Sequence, residues 1–236
     1  MELVRRLNLK KVNLEIRNSL DTDSQIGKQT ILDLVDKHNP IIFEIGANIG
    51  TDTLEFSLMY PNGVIHAFEP LPLHINKLVQ NTQDCKNVKI ISAALSDTNG
   101  LSKFYQSSGY SGGSGSIFKP TLHLVRDTRT LFKAEDECMV PTVTLDRYLQ
   151  NLDLKEIDFV WIDAQGAELK ILKGAIENLQ KIRYIYSEVS TVPYYEGACT
   201  ESELIEFLGN HNFLVKKRFR PVTEECGNIL WERKEV

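Results

Sequence analysis

The sequence predicts an α/β fold built on a mainly parallel sheet with one antiparallel edge strand. Short apolar runs of strand length alternate with segments of helical periodicity from Ile41 to His211, the pattern of parallel strands joined by right-handed crossovers. The first run, Ile41 to Ile45, leads into a turn bracketed by Gly46 and Gly50 and then into a helix. In open α/β sheets a ligand binds at such turns, outside the carboxyl ends of the strands. Two further runs, Phe213 to Phe219 and Asn228 to Glu232, close the chain with no helix between them. A short connection of that kind joins antiparallel strands.

Taken in order, residues 1–39 read as a helical N-terminal extension and residues 40–236 as the α/β domain. Leu3, Val4, Leu7 and Leu9 have helical spacing, and Ser24 is placed to cap a helix whose apolar side is Ile31, Leu32, Leu34 and Val35. Gly27-Lys28 looks like the end of a phosphate loop, but Gln29 stands where Ser or Thr is required. After the glycine turn, Thr51 to Met59 is a helix, Val64 to Phe68 a strand ending at Glu69, and Pro72 opens a helix reaching Asn81. Val88 to Leu95 is a third strand and Leu101 to Gln106 a short extra one. Ser107 to Ser116 is rich in glycine and serine and reads as a mobile loop within the domain, near the substrate entrance. Thr121 to Ala134 has weak helical character, and Pro141 marks Met139 to Leu145 as an edge strand. Ile157 to Asp163 is a buried strand followed by a helix; Tyr184 to Ser190 is the next strand, with Glu188 near its end. Thr200 and Glu203 form a capping-box pattern ahead of a helix to His211.

Bulk properties narrow the function classes. Of 236 residues, 27 are Lys or Arg and 32 Asp or Glu, a formal net charge of −5, which offers no basic field for nucleic acid. The basic run Lys216, Lys217, Arg218 and Arg220 reads as a solvated strand face. Cys85, Cys138, Cys199 and Cys226 are scattered with no C-x-x-C pair, which argues against structural zinc and a disulfide framework and suits a cytoplasmic protein. No signal peptide or membrane span is visible. Oligomeric state is not legible.

The site chemistry starts at two carboxylates. Glu69 follows Gly50 by 19 residues, the spacing of an acid that accepts hydrogen bonds from a ribose. The turn G-A-N-I-G (46–50) lacks the glycines that admit a pyrophosphate, and Glu44 at the strand end would repel one. A ligand with a ribose and a positive charge but no phosphate satisfies both, and S-adenosylmethionine is such a ligand. Glu44 then stands near its amino-acid end, Glu69 at its ribose, and Gly46, Ala47, Asn48, Gly50 and Thr51 in the turn that holds it. The small residues Ser92 and Ala93 leave space for a flat adenine, and Asp163 is placed to contact the ammonium group.

Five stretches carry a family resemblance: F-E-I-G-A-N-I-G (43–50), H-A-F-E-P (66–70), A-A-L-S-D (93–97) with Gly100, T-V-T-L-D (142–146) and W-I-D-A-Q-G-A-E-L-K-I-L-K-G-A (161–175). In these the chain resembles the FkbM-type methyltransferases, over roughly Pro40 to Ser190. The resemblance implies a Rossmann-like, seven-stranded class I methyltransferase sheet whose seventh strand is antiparallel. It also implies S-adenosylmethionine-dependent O-methylation of a hydroxyl on a saccharide or secondary metabolite. Two positions depart from the family pattern: Glu44 stands where Asp is frequent, and Gln165 where Glu is frequent.

Methyl transfer to an alcohol needs the nucleophile held in line, roughly 3 Å from the methyl carbon, and a proton acceptor or a metal. Asp163 is the first choice as base or positioning group, with Glu188 and His123 as further catalytic candidates. Asp163 and Glu188 also form a carboxylate pair of the kind that holds Mg²⁺, although two strand-end acids arise often without metal and no metal ligand is assigned. Glu168 falls where the helix dipole favours an acid in any case. Tyr194 and Tyr195 are placed to stack on a sugar ring. Two other functions compete: an NAD-linked oxidoreductase, disfavoured by the missing third glycine and by Glu44, and a non-catalytic module that keeps the fold for binding.

Overall fold

The computed structural model describes residues 20–221 and 224–234. The N-terminal helix expected around Leu3 to Leu9 lies outside the described residues. Among the described residues ten strands form two sheets: β1 (Ile41–Ile45), β2 (Val64–Phe68), β3 (Val88–Ile91), β4 (Ala94–Leu95), β5 (Gly100–Gly109), β6 (Thr130–Val143), β7 (Ile157–Ile162), β8 (Ile182–Ser190), β9 (Phe213–Phe219) and β10 (Cys226–Arg233). The α-helices are α1 (Lys28–Val35), α2 (Thr51–Met59), α3 (Pro72–Asn81), α4 (His123–Arg126), α5 (Leu145–Leu149), α6 (Glu168–Lys173) and α7 (Glu201–Asn210).

The large sheet has seven strands in the order β3-β2-β1-β7-β8-β10-β9. Strands β3, β2, β1, β7 and β8 are parallel, and β10 runs antiparallel to both neighbours. The antiparallel strand is therefore inside the sheet, where an edge strand was expected, and β9 forms the edge. Burial explains the exchange: Ile229, Leu230 and Trp231 of β10 are buried, whereas β9 exposes Leu214 and residues 216–218. Among the strands of this sheet β10 is the seventh along the chain, as the family resemblance implied.

Alternation along the strands divides the core into two layers, because successive side chains point to opposite faces. Phe43, Ile45, Val160, Ile162 and Ile185 pack with Ile171, Leu172, Leu204 and Leu208 on the side of α6 and α7. Ile42, Phe159, Trp161, Tyr184 and Tyr186 pack with Ile31, Leu32, Val35, Phe56 and Met59 of α1 and α2 on the other. Helix α1, assigned to the extension by sequence, thus shares the core of the α/β domain. It begins after Gly27 rather than after Ser24, because residues 22–25 close their own turn, with Thr22 and Gln25 bonded to each other.

The second sheet, β4-β6-β5, revises the middle of the chain. The expected strand Val88 to Leu95 breaks after Ile91, where the Ala93 amide donates back to the Ile91 carbonyl, and Ala94 and Leu95 join β6 instead. The short strand expected at Leu101 to Gln106 extends to Gly109, so Ser107, Ser108 and Gly109 are ladder residues paired with Phe132, Leu131 and Thr130. The helix expected over Thr121 to Ala134 is confined to the single turn α4, and Thr130 begins a 14-residue strand. Pro141 lies in the middle strand of this sheet, but β4 covers only Thr142 and Val143, so Pro141 faces β5 alone and is edge-like where it stands.

The remaining expectations of element type hold for α2, α3 and α7, the last with a capping box between Thr200 and Glu203. The basic run on and just after β9 is fully engaged: Lys216 with Glu232, Lys217 with Asp21, and Arg218 and Arg220 with Glu201. No helix among the described residues is long and apolar enough to cross a membrane.

Candidate active site

Three adjoining cavities open at the carboxyl ends of β1, β2, β7 and β8. They share walls, and the 110–116 segment contributes to all three through Ser111, Gly113, Ser114 and Gly115. That segment is tied down by a two-way backbone bridge between Ser116 and Tyr105 and by the buried side chains of Ser114 and Ser116.

The first cavity is an apolar slot walled by Phe68, Ala93, Leu95, Ile117 and Ile171, with Glu69 and His74 at one side. Glu69 is buried, and each carboxylate oxygen already accepts a backbone N–H: Oε2 from Asn48 at 2.8 Å and Oε1 from Leu71 at 2.9 Å. His74 Nδ1 stands 3.4 Å from Oε1. Glu69 therefore shapes the glycine turn as well as facing the slot. Ala93 is in the wall, but Ser92 is exposed and outside it. The tight turn after β3 directs Ala93 inward and Ser92 out, which corrects the expectation for Ser92.

The glycine turn makes the close approach possible. Gly46 has φ +86°, and a Cβ there would meet the Asp163 carbonyl oxygen at 1.9 Å. Asn48, too, adopts a left-handed conformation, φ 51°. Gly50 (φ +82°) lines none of the three cavities; a Cβ on it would strike Leu78 of α3 at 2.3 Å, so its role is packing.

The second cavity is polar. Glu44, Asp52 and Asp163 face it together with Ala47, Asn48 and Thr51, and its described lining holds no lysine or arginine. Glu44 is buried and accepts the Thr53 hydroxyl at 2.5 Å. Burial, reinforced by the Asp52 charge, pushes its carboxyl up to about 8. Asp163 opens onto the cavity yet is ringed by protein atoms, and this enclosure with the Asp52 charge raises it too, against the opposing bond from Gln165. Behind Asp52, the buried Lys28 lies 2.5 Å away, 3.5 Å from Glu55, and over the rings of Phe56 and Trp161. The Gly27-Lys28 pair thus serves this ion-pair network.

The third cavity, about 310 Å³, is lined by His123, Glu168, Glu188, Tyr194 and Tyr195 among others, a volume within the range of small-molecule pockets. His123 packs edge-on to Phe132 and Tyr194 and against Tyr195, and its buried Nδ1 has no hydrogen-bond partner among the described residues. Burial, with Asp163 and Glu168 nearby, holds the Glu188 carboxyl well above its usual range. Burial likewise lifts Glu168 to about 7, although the Ala164 and Gly166 amides point at its Oε1.

Gln165 joins the second and third cavities. Its Nε2 donates to Asp163 at 2.7 Å and to Glu188 at 2.8 Å, its Oε1 lies 3.0 Å from the Tyr195 hydroxyl, and its carbonyl accepts Ser116 Oγ at 2.8 Å. The residue is left-handed, φ 53°, and the next, Gly166, has φ +95°. The structure thus gathers Glu44, Gly46, Ala47, Asn48, Thr51, Glu69, Ala93 and Asp163 around the first two cavities, and Glu188 and His123 around the third. Asp163 does not line the third. Among the described residues no group of three His, Cys, Asp or Glu is placed to hold a metal ion, and between Asp163 and Glu188 stands an amide. Glu168 and the bridging role of Gln165 are what sequence reasoning missed; the left-handed Q-G step after a strand-end acid was the only local signal.

The "Methyltransferase FkbM domain" profile matches residues 44–220. The chain belongs to the FkbM methyltransferase family. It is similar to a 2-O-methyltransferase, NoeI, of Sinorhizobium fredii, with 32% identity over 79% of this chain and 78% of the relative. It is also similar to the 31-O-demethyl-FK506 methyltransferase FkbM of Streptomyces tacrolimicus, with 27% identity over 74% of this chain and 73% of the relative. Among solved structures, an rRNA methylase of Streptococcus thermophilus superposes with a TM-score of 0.51 at 10% identity, covering 94% of this chain and 100% of that one, which shows the fold alone. Membership of this family makes the chain a methyltransferase whose methyl donor is S-adenosylmethionine, and the oxidoreductase and non-catalytic readings fall away. The lining chemistry suits that donor: an apolar slot beside a buried carboxylate suits a nucleoside, and a polar chamber with three acids suits an ammonium group.

Proposed function

We propose that this FkbM-family enzyme methylates a hydroxyl of a saccharide or a similarly hydroxylated metabolite held in the third cavity. The observation that carries the reading is the division of the site by Gln165, with the donor's cavities on the Asp163 side and a separate polar cavity on the Glu188 side. The names of the two relatives, both O-methyltransferases, support hydroxyl transfer.

S-adenosylmethionine supplies an electrophilic methyl group on a sulfonium. In this reading Glu69 and the slot residues hold its nucleoside, and Glu44, Asp52 and Asp163 face its ammonium group. Glu188 takes the proton of the acceptor hydroxyl. It is half-buried in the cavity lining, and its Oε1 accepts no hydrogen bond among the described residues, which leaves that oxygen to a ligand hydroxyl. A base must stand within hydrogen-bond reach of the proton it removes. His123 lines the same cavity and contributes ring surface against which the acceptor packs. Glu69 and Asp163 position the donor, and neither touches the departing proton.

The test is incubation of the protein with methyl-labelled S-adenosylmethionine and a panel of glycosides and hydroxylated metabolites, read by product mass and linkage. Label in an ether of one ring hydroxyl supports the reading. Label confined to nitrogen or carbon acceptors overturns it.

A further inference from the structure

The third cavity offers an anion no cationic partner. Glu168 and Glu188 stand in its lining with no lysine or arginine among the described lining residues. Arg126, on the same short helix as His123, is committed elsewhere: its guanidinium lies 2.9 Å from Glu225, whose other oxygen takes the Tyr194 hydroxyl at 3.0 Å. An anion entering this space would be desolvated without a counter-ion, which is costly in a protein interior. An uncharged polyol meets no such penalty. Its hydroxyls can donate to Glu168 and Glu188, and Ser111, Ser114 and Ser190 supply groups that both donate and accept.

We infer that the acceptor is an uncharged polyhydroxylated ring, such as a neutral hexose unit, and that the cavity excludes sugars bearing a carboxylate. The inference rests on the saccharide reading and narrows it by charge. It concerns the wall formed by His123, Glu168, Glu188 and Ser190, and not the donor's cavities.

The test uses pairs of methyl glycosides that differ only at C6, a hexoside and its hexuronide, with the full chain saturated in S-adenosylmethionine near neutral pH. Release of S-adenosylhomocysteine gives kcat/KM, and thermal shift in the presence of S-adenosylhomocysteine gives binding without turnover. The neutral member should exceed its uronide by about tenfold or more in kcat/KM. Val192→Arg, which adds a guanidinium at a half-buried loop position of the cavity wall, should narrow that ratio. Uronides used as well as or better than their neutral partners by the unmodified protein would overturn the inference. Absence of turnover and of thermal shift with every glycoside would overturn it too, yet if S-adenosylmethionine still binds, hydroxyl transfer to another metabolite stands. Should Val192→Arg fail to fold, the paired comparison in the unmodified protein decides alone.

Discussion

Gln165 Nε2 donates to Glu188 Oε2 at 2.8 Å, and the same nitrogen donates to Asp163 Oδ1 at 2.7 Å. One neutral amide therefore separates two acids that would otherwise repel, and it ties the donor side of the site to the acceptor side. Hydrogen bonds to an ionised carboxylate favour the charged form and are worth about 1.5–3 kcal/mol. Gln165→Ala should lower kcat/KM by roughly 10- to 100-fold and move the acid limb of the pH–rate profile upward, because both carboxyls become harder to ionise. S-adenosylmethionine affinity should change much less. An unmoved acid limb would remove Gln165 from this role.

At Glu69 both carboxylate oxygens accept backbone N–H groups. Gln keeps one acceptor but must turn an NH₂ toward an N–H donor, so Glu69→Gln is not the mild change it would be at an open ribose site. Both Glu69→Gln and Glu69→Ala should weaken S-adenosylmethionine binding about ten- to a hundredfold and lower the melting temperature of the ligand-free protein. Calorimetric titration and thermal unfolding check this. Full stability of the Gln variant would show that the turn does not depend on these bonds.

Gly46 has no space for a side chain and a left-handed φ. Gly46→Ala must displace β7 from β1 at the point where Asp163 leaves the strand. A loss of about 2–4 kcal/mol corresponds to a fall in melting temperature of roughly 4–16 °C for a domain of this size, with cofactor binding lost. Wild-type affinity in this variant would contradict the close approach.

The Glu44 carboxyl, about 8 in the folded protein against 4.5 ordinarily, sets a pH dependence with a definite sign. Between these values the folded state binds more protons than the unfolded state, so the ligand-free protein loses stability as pH rises from about 4.5 to 8. A cationic donor favours the ionised form, so its affinity should strengthen over the upper part of the same window. Glu44→Gln should flatten both dependences, measured by thermal unfolding and by titration across that range. A pH slope unchanged by the substitution would assign it to another group.

Much of this was legible in the chain. Buried strands such as β1 and β7 are continuous apolar runs, and the Gly50–Glu69 spacing marks the slot because strand, helix and strand have standard lengths. The small sheet was not. Of β6, residues Lys133 to Glu137 are mostly exposed on both faces, so no apolar alternation announces a strand. Ser107 to Gly109 carry no apolar alternation either and are held chiefly by ladder hydrogen bonds. The place of β10 inside the sheet follows from a non-local choice between two adjacent strands. Gln165, standing where Glu is frequent, marks a structural or substrate-specific position; its two donor bonds need the positions of Asp163 and Glu188 together, and those acids belong to the ends of different strands.

The central claim is that S-adenosylmethionine spans the slot and the carboxylate chamber between the glycine turn and Asp163. Hydrogen exchange with and without the ligand measures this directly. Amides of 46–50, 69–71 and 163–166 should slow markedly with S-adenosylmethionine and remain unchanged with NAD. Protection absent from those segments, or equal with both ligands, would contradict the account.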